Sequence, residues 1–285
     1  MVAEFVREER AHLRTLGAVD LPELSELVGE DSLVNLFVDY RLRSTRLDSR
    51  WFGGEMWGYF EDGVLVSACH AAANLVPIQA TPDALDMFAQ RAMTMRRQCS
   101  SIVGRRGDVM HLWSLLEPTW GPARSPRLNQ PFMVLAQDSV IAPDPRVRAT
   151  LMDEFDLLYP SCVAMFTEEV GMNPEGHNRE GYRARVAQLI SQGWSFVVVE
   201  DDQVVFKAEV GAATPFGCQI QGVYVAPQWR GQGLAAPAMA GVVKLVRETI
   251  APVVTLYVND HNVAAKRAYE SAGFRQTETF ATILL

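Results

Sequence analysis

Nothing constrains this chain more than the order of its apolar runs after residue 145. RVRAT (146–150) is a short strand candidate. Leu151 to Val170 and Arg179 to Gln192 carry helical periodicity, and Pro160 is expected to break or kink the first of them. WSFVVVE and VVFKAEVGA are β-branched runs separated by Asp201-Asp202-Gln203, a hairpin signature. CQIQGVYV alternates and then meets Pro227. Leu234 to Ile250 has helix spacing, PVVTLYV reads as a strand, and Asn262 to Ala272 reads as a helix closed by Gly273. TETFATILL finishes as a strand. The order β-α-α-β-β-β-α-β-α-β specifies an α/β chain with a mixed sheet and helices on its faces.

The first half gives a fainter copy of that order. Leu33 to Leu42 is helix-like, and WGYFEDG with VLVSACH reads as a hairpin turning near Asp62-Gly63. NLVPIQA is a third strand candidate, Pro82 to Arg97 a helix opened by Thr81, SSIVG a strand and Val109 to Glu117 a helix. Two Pro-rich stretches, Gly121 to Pro131 and Ala142 to Pro145, flank the strand-like FMVLA. The domain boundary is placed at the second, giving domains 1–140 and 141–285. No residue-level repeat links the halves, so duplication of one fold is an expectation that matching strand orders would support.

Composition narrows the function classes. Of 285 residues, 48% are hydrophobic and 21% charged, as in a globular protein. The net charge of −8 disfavours a general nucleic-acid binder, which needs excess Lys and Arg. The four cysteines have no metal-ligand or CxxC spacing and read as free thiols. The five histidines are scattered, so no metal site is expected. The opening MVAEFVREERAH lacks the apolar run of a signal peptide, and no uncharged run reaches membrane length. A cytoplasmic protein without membrane or nucleic-acid partners is expected.

One span carries a chemical signal. VYVAPQWRGQGLAAPAM, Val223 to Met239, joins a strand to a helix through Arg230-Gly231-Gln232-Gly233. The first N–H groups of a helix lack internal partners and, with the helix dipole, form an anion site. Glycines let backbone approach that anion. The N–H groups of Gly231 to Ala235 can therefore converge on a phosphate, with Arg230 adding charge. The span is neither a Walker loop nor a GxGxxG fingerprint. Alone, it is equally an ordinary tight connection. The next helix adds Asn262, Ala265 and Tyr269 at i, i+3 and i+7, on one face. Asn259 and Asn262 can bond a ligand or cap that helix.

RGQGLA, Arg230 to Ala235, resembles the Q/R-x-x-G-x-G/A signature of the GNAT superfamily of acyl-CoA N-acyltransferases. Arg230, Gly233 and Ala235 fill its fixed places. Asn262 to Phe274 is similar to the family's N-x-x-A-x-x-x-Y-x-x-x-G-F pattern, and the strand order matches. The resemblance covers about Pro145 to Leu285. In the first half, LWSLLEPTWGPAR and NQPF resemble the domain of unknown function that precedes this transferase domain in actinobacterial proteins. The resemblance implies tandem GNAT-like folds with a degenerate N-terminal copy. There, NLVPIQATPDAL offers no glycine and puts Asp83 at the helix start, where a carboxylate repels phosphate, so no cofactor is expected in that half.

The resemblance implies acetyl-CoA as cosubstrate. It lies where two parallel strands splay, along the backbone of Val223, Tyr224 and Val225, with its pyrophosphate on Gly231, Gln232, Gly233, Leu234 and Ala235. Asn259, Asn262, Ala265 and Tyr269 complete the cofactor-binding set. A backbone N–H near Val223 polarises the thioester carbonyl. Tyr269 protonates the departing thiolate, phenol and thiol having pKa values of roughly 10 and 8.5. The base is open. The strand CQIQGVYV has no carboxylate, and Gln219 and Gln221 hold at most a water. Glu209 shares a face with Lys207 and is either the base or an ion-pair partner. Glu168 and Glu169 lie in the segment that walls the acceptor site in the family, or form a solvated helix end. His177 and His261 read as loop residues. The expected function is direct acetyl transfer to the primary amine of a small molecule or peptide, with the first half walling the cleft or mediating a homodimer. Two alternatives stand beside it: a transferase resembling mycothiol synthase, acting on an amino-sugar thiol conjugate, and a non-catalytic acyl-CoA sensor or scaffold.

Overall fold

The computed structural model describes residues 11–95 and 99–285, with residue 177 described by its backbone alone. The charged opening MVAEFVREER and the last two residues of the helix expected over Pro82 to Arg97 lie outside the described residues. The chain divides into two compact units. The first comprises Met1–Pro131 with Glu278–Leu285, and the second Phe132–Thr277. The crossing therefore falls at the first Pro-rich stretch, and not near Ile141 where the sequence placed the boundary. The reason is the strand-like run that follows: Phe132 to Leu135 pair with the second unit's sheet.

In the first unit β1 (Ala11–Thr15), β2 (Glu55–Glu61), β3 (Val64–Ala71) and β4 (Asn74–Ile78) pair antiparallel in turn. β5 (Ser101–Arg105) joins β4 in parallel, at Asn74↔Ser101 and Leu75↔Ile102. Helices α1 (Leu21–Gly29), α2 (Leu36–Thr45) and α3 (Ser49–Phe52) lie between β1 and β2, α4 (Pro82–Thr94) between β4 and β5, and α5 (Arg106–Trp120) after β5. The α1/α2 side buries Leu24, Val38 and Leu42 with Met56 and Phe60 of β2. The α4/α5 side buries Leu85, Phe88, Leu112 and Leu116 with Trp57 and Tyr59, as alternation across a strand requires.

The second unit repeats this plan. Antiparallel pairing links β7 (Arg148–Ala149), β8 (Ser195–Glu200), β9 (Gln203–Ala213) and β10 (Cys218–Val225), and β11 (Val254–Tyr257) joins β10 in parallel. Helices α6 (Phe155–Val170) and α7 (Glu175–Ser191) separate the first two strands, α8 (Ala235–Thr249) separates the parallel pair, and α9 (Val263–Ala272) follows β11. Strand order, sense of pairing and helix placement thus agree between the units. The Asp201-Asp202 turn joins β8 to β9 with both residues at positive φ, 47° and 55°, as a two-residue hairpin demands.

Each unit completes its sheet with a strand taken out of sequence order: the first with one that follows the second unit, the second with one that precedes its β7. In the first, Phe280 to Leu284 of β12 (Arg275–Leu284) pair with β5, and Ala281 and Ile283 enter the core. In the second, Phe132 to Leu135 of β6 (Ser125–Leu135) pair with β11, and Met133 and Leu135 enter the core. Two sequence expectations change. FMVLA extends back through Pro126 and Pro131 into a longer strand, which proline permits where its nitrogen is not called on by the ladder. α6 continues through Pro160, where a missing N–H removes one hydrogen bond from an otherwise apolar, well-packed helix.

Candidate active site

The site begins with an irregularity in β10. Gln221 lies opposite Glu209 and Tyr224 opposite Lys207, so Gly222 and Val223 together face the single residue Ala208. This is a β-bulge, which leaves backbone groups out of the ladder. Gly222 has φ +60°, and a Cβ there would lie 2.9 Å from the Glu209 side-chain carboxyl carbon. Only glycine fits both the conformation and the space. Beyond Gln219↔Thr255 the parallel pairing of β10 with β11 stops, and the two strands part.

At the C-terminal end of β10 the glycine loop turns into α8. Gly231 and Gly233 have φ +74° and +76°, and a Cβ at either would meet nothing within 4 Å. Conformation, not crowding, requires glycine there, and the space over the loop is open. α8 starts without a side-chain cap, and among the described residues no acceptor of the chain reaches the N–H groups of Gly231 to Ala236. Open space, unpartnered amides and parting strands fit a phosphate-bearing cofactor laid along β10. The matching turn in the first unit is closed, because the Thr81 side chain accepts from the Ala84 N–H and Asp83 sits in the first turn of α4.

Arg230 has a different role from the one read in the sequence. Its terminal nitrogen forks onto both oxygens of Glu168, at 2.8 and 3.1 Å, its Nε donates to the Val225 carbonyl at 2.9 Å, and its guanidinium lies 5.3 Å from the centre of the Tyr224 ring. It ties the loop to the C-terminal turn of α6 rather than offering charge to a phosphate. Glu168 is thereby an ion-pair partner, which argues against its candidacy as base. The Tyr224 side chain is buried against Met165 and Ala226. Burial and the Glu168 charge raise its phenol pKa.

On α9, Asn262 resolves to a helix cap: its side-chain oxygen accepts from the Ala265 N–H at 3.1 Å. Its backbone N–H bonds the Asn259 carbonyl, and Ala265 packs on the core. Tyr269 is buried in the core with its ring edge-on to Phe274 at 6.0 Å. Among the described residues no group of the chain bonds its hydroxyl. Burial pushes the phenol pKa up and the Glu169 charge adds to this, so the hydroxyl keeps its proton throughout the neutral range. His261 is exposed ahead of the helix, and the side chain of His177 lies outside the described residues.

The bulge carries a buried polar cluster. Lys207, 0% exposed, donates to Glu209 at 3.0 Å and to the Gly222 carbonyl at 3.0 Å, with the Cys162 thiol nearby. Gln221 donates to the other Glu209 oxygen at 3.0 Å. Burial is the largest influence and works to lower the Lys207 pKa, but the Glu209 carboxylate and the Cys162 sulfur together turn the net shift upward. Burial pushes the Cys162 thiol up to about 11, against the nearby ammonium. Lys207 is thus an ammonium and Cys162 a neutral thiol, with a carboxylate and a backbone carbonyl both accepting from the ammonium. The sequence reading weighed Lys207 only as a partner of Glu209 and overlooked Gly222. A glycine inside an alternating strand run was the available signal for the bulge.

Comparison with known proteins agrees with this geometry. Residues 162–274 match the model of the Acetyltransferase (GNAT) family, and residues 54–158 match that of a Domain of unknown function (DUF4081). No curated protein matches the chain in sequence. A GNAT-family acetyltransferase from Colwellia psychrerythraea is similar in structure over 95% of this chain and 98% of its own, with TM-score 0.60 and 14% identity. A tandem GNAT protein from the clavulanic acid biosynthesis pathway is similar over 95% and 98%, with TM-score 0.57 and 13% identity. A GCN5-related N-acetyltransferase from Sphaerobacter thermophilus is similar over 96% and 95%, with TM-score 0.59 and 16% identity. With the fold of tandem GNAT proteins over nearly its whole length, the chain carries a GNAT-family acetyltransferase domain at residues 162–274, behind a domain of unknown function at residues 54–158.

Proposed function

We propose that the second unit is an acetyl-CoA-dependent N-acetyltransferase that acts on the primary amine of a small molecule or peptide. The observation that carries this reading is the parting of β10 from β11 beside a loop whose N–H groups have no acceptor among the described residues. When bound, the cofactor supplies an acetyl group activated as a thioester. The amides of Gly231 to Ala235 hold its pyrophosphate. The Val223 amide, released from the ladder by the bulge, donates to the thioester oxygen. Glu209, directly or through a water on Gln221, takes the proton that the acceptor ammonium must lose. Tyr269 holds the proton for the departing thiolate at its hydroxyl oxygen.

Calorimetric titration of acetyl-CoA tests the reading, with one site per chain expected and that site lost in Gly233→Asp. A screen of primary amines for release of free CoA then tests the transfer. No heat of binding in the native protein would sink the proposal. A non-catalytic acyl-CoA sensor is the second reading. It is favoured by Glu209, whose two oxygens are already bonded to Lys207 and Gln221. Binding without turnover of any amine would move it to first place.

A further inference from the structure

We propose that Lys207 polarises the Gly222–Val223 peptide, so that a side chain on β9 sets the strength of the backbone donor on β10. The inference rests on the N-acetyltransferase reading and extends it to a residue that never touches the cofactor. The argument is geometric. Lys207 is fully buried, and its ammonium bonds the Gly222 carbonyl at 3.0 Å. That carbonyl belongs to the same planar amide as the Val223 N–H. No peptide among the described residues is cis, and a trans peptide turns its N–H away from its C=O. The carbonyl is held by Lys207, so the amide is turned away from it. Neither Gly222 nor Val223 has a partner in the β9–β10 register.

A charged donor on a carbonyl draws electron density through the amide and makes its N–H a stronger donor, as in any chain of hydrogen bonds at low dielectric. The surroundings keep the charge in place. Glu209 favours the ammonium form, and the Cys162 thiol, pushed up to about 11, does not compete for the proton at neutral pH. Glu209 then has two duties: it is the proposed base, and it holds the cation that strengthens the donor. Lys207 is accordingly a positioning residue. Methionine in its place keeps the bulk but gives the Gly222 carbonyl nothing to bond.

The test reads the bound thioester without any acceptor. Acetyl-CoA labelled with carbon-13 at the thioester carbonyl is bound to the native protein, and its stretch is measured by difference infrared spectroscopy. A shift to lower frequency on binding is expected in the native protein, whose Glu209 carboxylate holds the ammonium. In Lys207→Met/Glu209→Gln, a neutral pair chosen so that no carboxylate is stranded, the shift falls by about half. The dissociation constant in calorimetry stays within about threefold, because the glycine loop is untouched. A full shift in the double variant overturns the proposal while leaving the acetyltransferase reading intact, as does binding to the native protein with no shift. Absence of acetyl-CoA binding to the native protein overturns that underlying reading itself.

Discussion

His70 should make the first unit lose stability in mild acid. It sits on β3 with 3% of its surface exposed, edge-on to Phe52 at 4.9 Å and to Phe37 at 5.8 Å. Neither ring nitrogen has a hydrogen-bond partner among the described residues. Burial, with the Arg41 charge adding to it, lowers the imidazole pKa to about 4. In the unfolded chain it returns to about 6.5. The unfolded state therefore takes up a proton first as pH falls. Stability is full above about pH 6.5 and declines progressively toward pH 4. The gap of about 2.5 units corresponds to about 3.4 kcal/mol in total, and to about 2 kcal/mol at pH 5. Urea unfolding followed by tryptophan fluorescence at pH 7.5 and pH 5 reads this loss. With a slope of about 2 kcal/mol per M, the midpoint of the native protein should fall by about 1 M more than that of His70→Leu. Leucine strands no polar atom, so this variant should be no less stable than the native protein at pH 7.5. Equal pH dependence in the two proteins would refute the argument.

Three further outcomes follow from the structure. Tyr269→Phe should lower turnover at least tenfold once an acceptor is found, with acetyl-CoA affinity in calorimetry unchanged, since proton donation by a positioned group is worth about 10²–10⁴-fold. Gly222→Ala meets both a positive φ and the Glu209 side chain, and should cost about 1–3 kcal/mol in thermal unfolding while weakening the thioester contact. Asp108, in the first turn of α5, has its pKa raised to about 6, by burial first, with the nearby Arg105 acting against the shift. A raised carboxyl favours the folded state at low pH and loses that advantage as pH rises from about 4 through 6. Asp108→Asn should therefore stabilise the protein at pH 7.5 relative to the native chain and give no gain at pH 4, as read by thermal unfolding.

Local chemistry was legible in the sequence, and distant partnership was not. RGQG between a strand and a helix, the Asp201-Asp202 hairpin, and the Asn262 to Gly273 helix with its two caps each depend on a few consecutive residues, and each was read in place. The role of Arg230 was misjudged because its partner, Glu168, lies on another helix and no spacing rule connects them. Lys207 and Glu209 were seen on one face, yet the third member of the group is a carbonyl exposed by a bulge, and register shifts leave little trace in composition. The boundary was displaced for a related reason. A Pro-rich stretch signals a break in regular structure, but here it runs through a strand that leaves one compact unit and enters the next. β1 and α1, near the start, carry too few periodic positions to stand out.

The exchange of final strands has a consequence for synthesis. The first unit's core has places for Ala281 and Ile283, which follow the whole second unit in the chain and are made after it. At about 5–20 residues per second, the whole second unit must be made while β5 waits with an open edge, a delay of about 10–30 s. A free strand edge over that interval invites pairing with other chains. The order of translation and the order of completion are thus inverted for the first unit, and loss of β12 damages the unit whose other strands are made before the second unit begins.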